Sequence, residues 1–463
     1  MSTASMRNGE YRVGRFVTSL DWHDAPETVR ERIVMAVIDT LTAMVAGVPA
    51  RSTGIATKVS LATFAPGEAT LVADRRRLRA EGAAFANAVA ANAYDLDDTS
   101  VHTWGHPGAQ IVPAALAVAE ETGATGKELA TAVLIGYEVA CRQALCLYAD
   151  VPAAPERDYR GCAAWGAVAA AVVAARLLDL TAEQTRQALG IAEYHAPDAQ
   201  ILRDVRHPGM VKHGHGPAVL TGIMAARLAQ GGFTGTPGLL DEERFAAVVS
   251  DVGERWLVEG RGIEWKRFAC CAWAHPALNA LATLLGRPEA AGFDPAAVDR
   301  IVVEAHFDSH LLGARLPDSS EAAQFSMAWP LATCLFDGEV GVPQIDERRI
   351  ADHAVRELAG RIELRRSDEL DRLYWLAERD SPEGANAARV VVELRDGRRL
   401  DSGVVALPDR GPAWTPAEHE AKFRRVTSPS LPAEAAEALL HAARRLPDLG
   451  HVRELTAPLH SAT

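Results

Sequence analysis

The segment Ala167–Ala175 reads Ala-Val-Ala-Ala-Ala-Val-Val-Ala-Ala and is apolar on every face. A helix with no polar side must be surrounded by other elements, so this run points to the inside of a helical bundle. Its small side chains also let neighbouring backbones come close. It is too short for a bilayer span, which takes about 20 apolar residues. Similar Ala-rich periodicity predicts helices over Val29–Val45, Ala80–Tyr94, Pro113–Thr122, Lys127–Tyr148, Ala163–Leu178, Ala182–Glu193 and Pro217–Gly231. Asp24 and Pro26 supply a cap and first turn ahead of the earliest of these.

The pattern changes after Gly262. Arg300–Phe307 reads as a strand. Arg389–Leu394 and Arg398–Val405 flank Asp396-Gly397, a strong hairpin turn signal. Helices are expected between them at Pro276–Leu285, Ala322–Phe336 and Ala351–Glu363. Pro408–Pro416 is a loop rich in breakers, and helices return at Pro416–Arg425 and Pro432–Arg445. The expected class is mainly α, with a smaller α+β part. No fixed-period repeat is present.

The formal charge of −13 over 463 residues argues against a general nucleic-acid surface. The six cysteines form no CxxC pair, which disfavours a zinc ribbon, a redox motif or an iron–sulfur cluster. Free thiols and an N-terminus without a long apolar stretch fit a cytoplasmic protein with no signal peptide.

One connection carries unusual chemistry. From Asp95 to Gly108 the chain reads Asp-Leu-Asp-Asp-Thr-Ser-Val-His-Thr-Trp-Gly-His-Pro-Gly, with three carboxylates, three hydroxyls and two imidazoles between two helical runs. Connections are where a scaffold displays reactive groups. This one is a candidate for proton transfer.

The same stretch resembles the MmgE/PrpD family, which includes 2-methylcitrate dehydratase, cis-aconitate decarboxylase and iminodisuccinate epimerase. Other segments match in order: Lys212-His213-Gly214-His215-Gly216, Trp265-Lys266-Arg267-Phe268-Ala269-Cys270-Cys271 with Trp273-Ala274-His275-Pro276, Gln324-Phe325-Ser326, and Lys422-Phe423. The likeness runs from about Phe16 to Leu446. It implies a large helical domain built from both chain ends (1–265 and 411–463) with an inserted α+β lid (266–410). It also implies a homodimer that uses no cofactor and acts on a small anion; no metal is expected from the ligand spacing, and no membrane partner from the shortness of the apolar runs.

The resemblance further implies that Asp95, Thr99, His106, Lys212 and Lys266 are catalytic. Removing a proton next to a carboxylate needs a positioned base and fixed positive charge. His106 suits the proton transfer, because an ordinary imidazole titrates near about pH 6.5. Asp95 would orient it, Thr99 would bind substrate, and the two lysines would hold carboxylate charge. Arg160, Arg267, Trp329 and His102 are the expected substrate contacts. Arg160 stands where the family usually has His, and Trp329 where it often has Tyr. An arginine cannot act as a base, but it can clamp a carboxylate or phosphate. The expected reaction is therefore a dehydratase-like elimination of water or of an activated group such as phosphate. Decarboxylation or epimerisation through the same intermediate is the alternative.

Other readings weigh less. Asp97, Asp98 and Thr99 can serve simply as a helix cap. His207, His213 and His215 lack a convincing fourth metal ligand. Asp95–Asp98 fits the DxDD pattern of terpene cyclases, yet only 6% of the chain is aromatic. A non-enzymatic scaffold would show a repeat.

Overall fold

The computed structural model describes residues 9–152, 157–292, 294–379, 381–406 and 414–461. The fold is mainly α. The helix Ala163–Leu177 is buried along nearly its whole length, as its composition requires. It packs against the helices Gly108–Thr122, Gly126–Leu147, Ala182–His195 and His215–Gln230. The approach to His215–Gln230 is close enough that a Cβ at Gly222 would collide with the Ala167 carbonyl oxygen. Gly126–Leu147 is long and apolar enough to cross a bilayer, but 94% of its apolar window is buried inside the protein. All six cysteines are free thiols.

Four of the strands form a sheet in the order Ile362–Arg366, Val298–Ala305, Ala387–Leu394, Arg399–Ala406. The first pair is parallel and the other two are antiparallel. The hairpin turns at Gly397, whose φ of 88° suits glycine. His275–Leu285 covers the sheet. The C-terminal helix Pro416–Thr427 returns to pack on Glu27–Ala46. Its Lys422 Nζ donates to Asp39 Oδ1 at 2.5 Å and to the Leu96 carbonyl at 2.8 Å. That lysine ties the chain end to the reactive connection.

Three expected elements differ. Ala351–Glu363 is a helix only over His353–Ala359; Gly360 caps it, and Ile362 opens the parallel edge strand. The predicted helix Ala322–Phe336 is two helices, Ser320–Gln324 and Ala328–Asp337, broken at Phe325–Met327. Helix Gly108–Thr122 starts before Pro113 and carries that proline inside it. A short ribbon, Pro66–Thr70 with Arg77–Leu78, has no counterpart among the expectations. Most of the loop expected at Pro408–Pro416 lies outside the described residues.

Candidate active site

The reactive connection leaves the helix Ala80–Asn92 through Asp95, whose φ of 53° is left-handed. A non-glycine residue holds that conformation only where its surroundings fix it. Thr99 then pairs with Glu264 in an isolated bridge, with N–H···O distances of 2.8 and 2.7 Å. This bridge brings the following segment alongside, and Lys266 Nζ lies 2.8 Å from Asp95 Oδ1. Both side chains are buried.

His106 closes the loop. Its Nδ1 lies 3.0 Å from the Asp98 carbonyl oxygen and 3.4 Å from Asp97 Oδ2. A carbonyl only accepts, so Nδ1 carries a proton. Nε2 faces Asp95 Oδ1 at 3.3 Å and is the ring nitrogen available for exchange. Asn92 Nδ2 donates to both oxygens of Asp97, at 2.8 and 3.0 Å. Asp98 accepts from Gly108 N at 2.9 Å and from Tyr137 Oη at 2.8 Å. Asp98 thus anchors the next helix, so the capping role weighed for this triplet belongs to Asp98.

Lys212, His213 and Gly214 have φ values of 26°, 57° and 72°, a left-handed run ahead of the helix His215–Gln230. The run turns the Lys212 ammonium inward. Its Nζ donates to the Asn92 carbonyl and to Gln324 Oε1, each at 2.5 Å. Gln324 Nε2 in turn donates to the Ala93 carbonyl at 3.0 Å. The helix break at Phe325 lets this glutamine face the site. His213 stacks near His106, with ring centres 5.4 Å apart, and its Nδ1 lies 3.1 Å from Asp204 Oδ2.

The electrostatics follow from burial and these neighbours. Burial alone would raise the Asp95 carboxyl, but Lys266, Lys212 and His106 outweigh it and hold Asp95 well below the usual carboxylate range. Burial likewise opposes ionisation of Asp97, yet His106 brings it down to about 2. Burial and the neighbouring Asp39 and Asp97 raise Asp98 well above that range. Burial, with Lys266 nearby, lowers Lys212. Burial acts downward on Lys266 too, but Asp95 raises it overall. His275 is pushed down to about 3 by burial and by Lys266, so it is neutral.

A cleft of about 730 Å³, open mouth included, meets this cluster. Thr99, His106, His213, Cys271 and Phe325 line its inner end. Asp95, Lys212 and Lys266 are not among the residues lining the cleft; Asp95 meets His106, which does line it. Asp95, Asp97 and His106 present ligand atoms within 4.8 Å of one another, so they could hold a metal ion. The Lys266 ammonium against Asp95 already supplies a cation there.

None of the four expected substrate contacts is among the residues lining the cleft. Arg160 is half-exposed and pairs with Asp198 at 3.2 Å on the surface. Arg267 is exposed and lies over Trp414, because Lys266 beside it points inward. Trp329 is wholly buried, and its indole Nε1 donates to the Gln344 carbonyl at 2.9 Å. His102 is half-buried beside Gly262 and is not among the residues lining the cleft. Conversely, Asn92, Asp97, His213 and Gln324 are integral to the cluster without having been assigned to it. Gln324 lay in a recognisable motif, and His213 was weighed only as a metal ligand. Tyr374 and Glu378, which line the cleft, and Arg157, buried against Glu378, carried no sequence signal.

Known proteins match this chain along nearly its whole length. The MmgE/PrpD N-terminal domain matches residues 12–255 and the MmgE/PrpD C-terminal domain residues 268–448. Cis-aconitate decarboxylase of Aspergillus terreus is 25% identical over 419 residues, covering 84% of this chain and 83% of that protein. Cis-aconitate decarboxylase of Homo sapiens is 27% identical over 403 residues, covering 83% and 80%. The chain belongs to the MmgE/PrpD family.

Proposed function

We propose that this protein is a cofactor-independent lyase that removes a proton next to a carboxylate and expels water from a small hydroxy acid. The convergence of Asp95, His106, Lys212 and Lys266 carries the reading. His106 Nε2 takes the proton on carbon, and the C–H electrons pass into an enolate-like anion. Lys212 and Lys266 offset its charge. The electrons then form the C=C bond as the C–O bond breaks, and His106 returns its proton to the departing oxygen. Arg160 pairs with Asp198 and is not among the residues lining the cleft, which supports water as the leaving group. In this reading the helices of both chain ends form one domain, the sheet-bearing part is its lid, and the protein is a cytoplasmic homodimer.

The test is hydrogen–deuterium exchange at the carbon next to the carboxylate, with alkene formation followed by ultraviolet absorbance across a panel of hydroxy acids. Wild type should show both, and His106→Asn neither. Activity that survives His106→Asn ends this reading. Decarboxylation is the second reading, favoured by the names of the relatives, and release of carbon dioxide would establish it.

A further inference from the structure

His213 has no task in the lyase reading, although it lines the same cleft as His106. The two imidazole centres lie 5.4 Å apart, with ring planes 21° from parallel. His213 takes a left-handed φ of 57°, a conformation that its surroundings must hold in place. Two neighbours hold the ring. Phe325 meets it edge-on, with 5.7 Å between centres. Asp204, from the short helix Ile201–Arg206, accepts from the His213 backbone N–H at 2.5 Å and brings the same Oδ2 to 3.1 Å from Nδ1. Only 6% of the His213 side chain and 10% of the Asp204 side chain is exposed, so water screens this ion pair weakly. Burial opposes the Asp204 charge, but His213, with Lys212 further off, outweighs it and holds the carboxyl below its ordinary range.

The two imidazoles have different partners. His106 Nδ1 donates to the Asp98 carbonyl, which leaves Nε2 as a base. Once Nε2 has gained a proton, Asp95 Oδ1 stands 3.3 Å away to accept it in a hydrogen bond. That contact holds the proton rather than delivering it. His213 Nδ1 instead faces a carboxylate, which steadies the ring when it carries two protons, the form an acid needs. Its Nε2 is then the nitrogen with a proton to give.

We propose that His213 is a second acid–base group of this site, giving its Nε2 proton to the departing oxygen while His106 keeps the proton taken from carbon. This rests on the lyase reading and reassigns only its final transfer. The electron pair of the C–O bond leaves with the oxygen, which takes the His213 proton and departs as water. His106 is then charged and His213 neutral. One proton lost by His106 to solvent and one gained by His213 from solvent restore the starting state. Asp204 is the positioning residue, acting through His213.

The test compares malate with 2-chlorosuccinate on the full chain, because chloride leaves without a proton. His213→Asn is the first variant, since asparagine tolerates a left-handed φ. Asp204→Asn is the second, and either suffices if its melting transition matches wild type. Wild type should form alkene from both acids. His213→Asn should lower kcat for loss of water by about 100-fold or more and kcat for loss of chloride by less than about threefold. It should leave proton–deuterium exchange at the malate carbon next to the carboxylate unchanged. Asp204→Asn should show the same split in weaker form. Equal losses on both acids, no loss on either, or loss of exchange in His213→Asn overturns the proposal. So does a wild type that expels chloride but not water. His106→Asn tests the reading beneath: exchange that survives there ends the lyase reading whatever His213 does, and a wild type without exchange on either acid ends both.

Discussion

Lys266 and Asp95 form a buried ion pair at 2.8 Å that joins the reactive connection to the segment after the Thr99–Glu264 bridge. Neither partner has bulk water to fall back on. Removing one leaves the other as an uncompensated charge, which typically costs about 3–5 kcal/mol. Lys266→Met and Asp95→Asn should each lower stability in urea unfolding. The double variant should cost less than the sum of the singles. Strict additivity would mean that the pair is not coupled.

Tyr137→Phe removes the hydroxyl that donates to Asp98 Oδ2. A buried acceptor left unsatisfied costs about 1–3 kcal/mol. The variant should melt earlier than wild type. It should also exchange amide hydrogens faster at the start of the helix Gly108–Thr122, which hydrogen-bond exchange mapped by mass spectrometry would reveal.

Glu10 makes stability fall as pH rises. Burial first, and then Asp241, push its carboxyl up to about 8. Between the unfolded value, about 4.3, and about 8, the folded chain holds a proton that the unfolded chain has released. Stability must therefore decline across that window. Glu10→Gln should flatten the decline in a series of melting curves. An unchanged slope would refute the assignment.

The acid side has the opposite sign. Asp97 is held at about 2 in the fold, with His106 beside it. Its stabilisation is complete above the unfolded value of about 3.9 and is lost as pH falls toward about 2. Asp97→Asn should therefore lose less stability than wild type between about pH 5 and pH 2.

Arg160→Ala should change kcat/KM by less than about twofold and stability by about 0–1 kcal/mol, the usual range for an exposed ion pair. A large loss in steady-state kinetics would return Arg160 to the cleft.

Much of the helical core was legible in the sequence because it follows periodicity. Ala163–Leu177 is apolar all round and is buried all round. The edge strand Ile362–Arg366 was not legible, because its alternation of Ile, Glu, Leu and Arg is too short to oppose the helical pattern before it. In the site, Asp95 and His106 stood out by the density of titratable groups in one connection. Lys212 and Lys266 stood out only through the family likeness, since a single lysine has no local signature. Arg267 and Trp329 misled because adjacency in a motif does not fix which way a side chain points. Arg157 was invisible for the converse reason: its partners Asp308 and Glu378 come from distant segments, and only folding assembles them.

The left-handed run Lys212–Gly214 has a cost for anyone seeking a hardier enzyme. Rewinding those residues into ordinary helix would relieve backbone tension, and selection for heat resistance alone would reward it. The same rewinding would swing the ammonium out of reach of Asn92 and Gln324. Gains in durability at this turn should therefore come with losses in turnover.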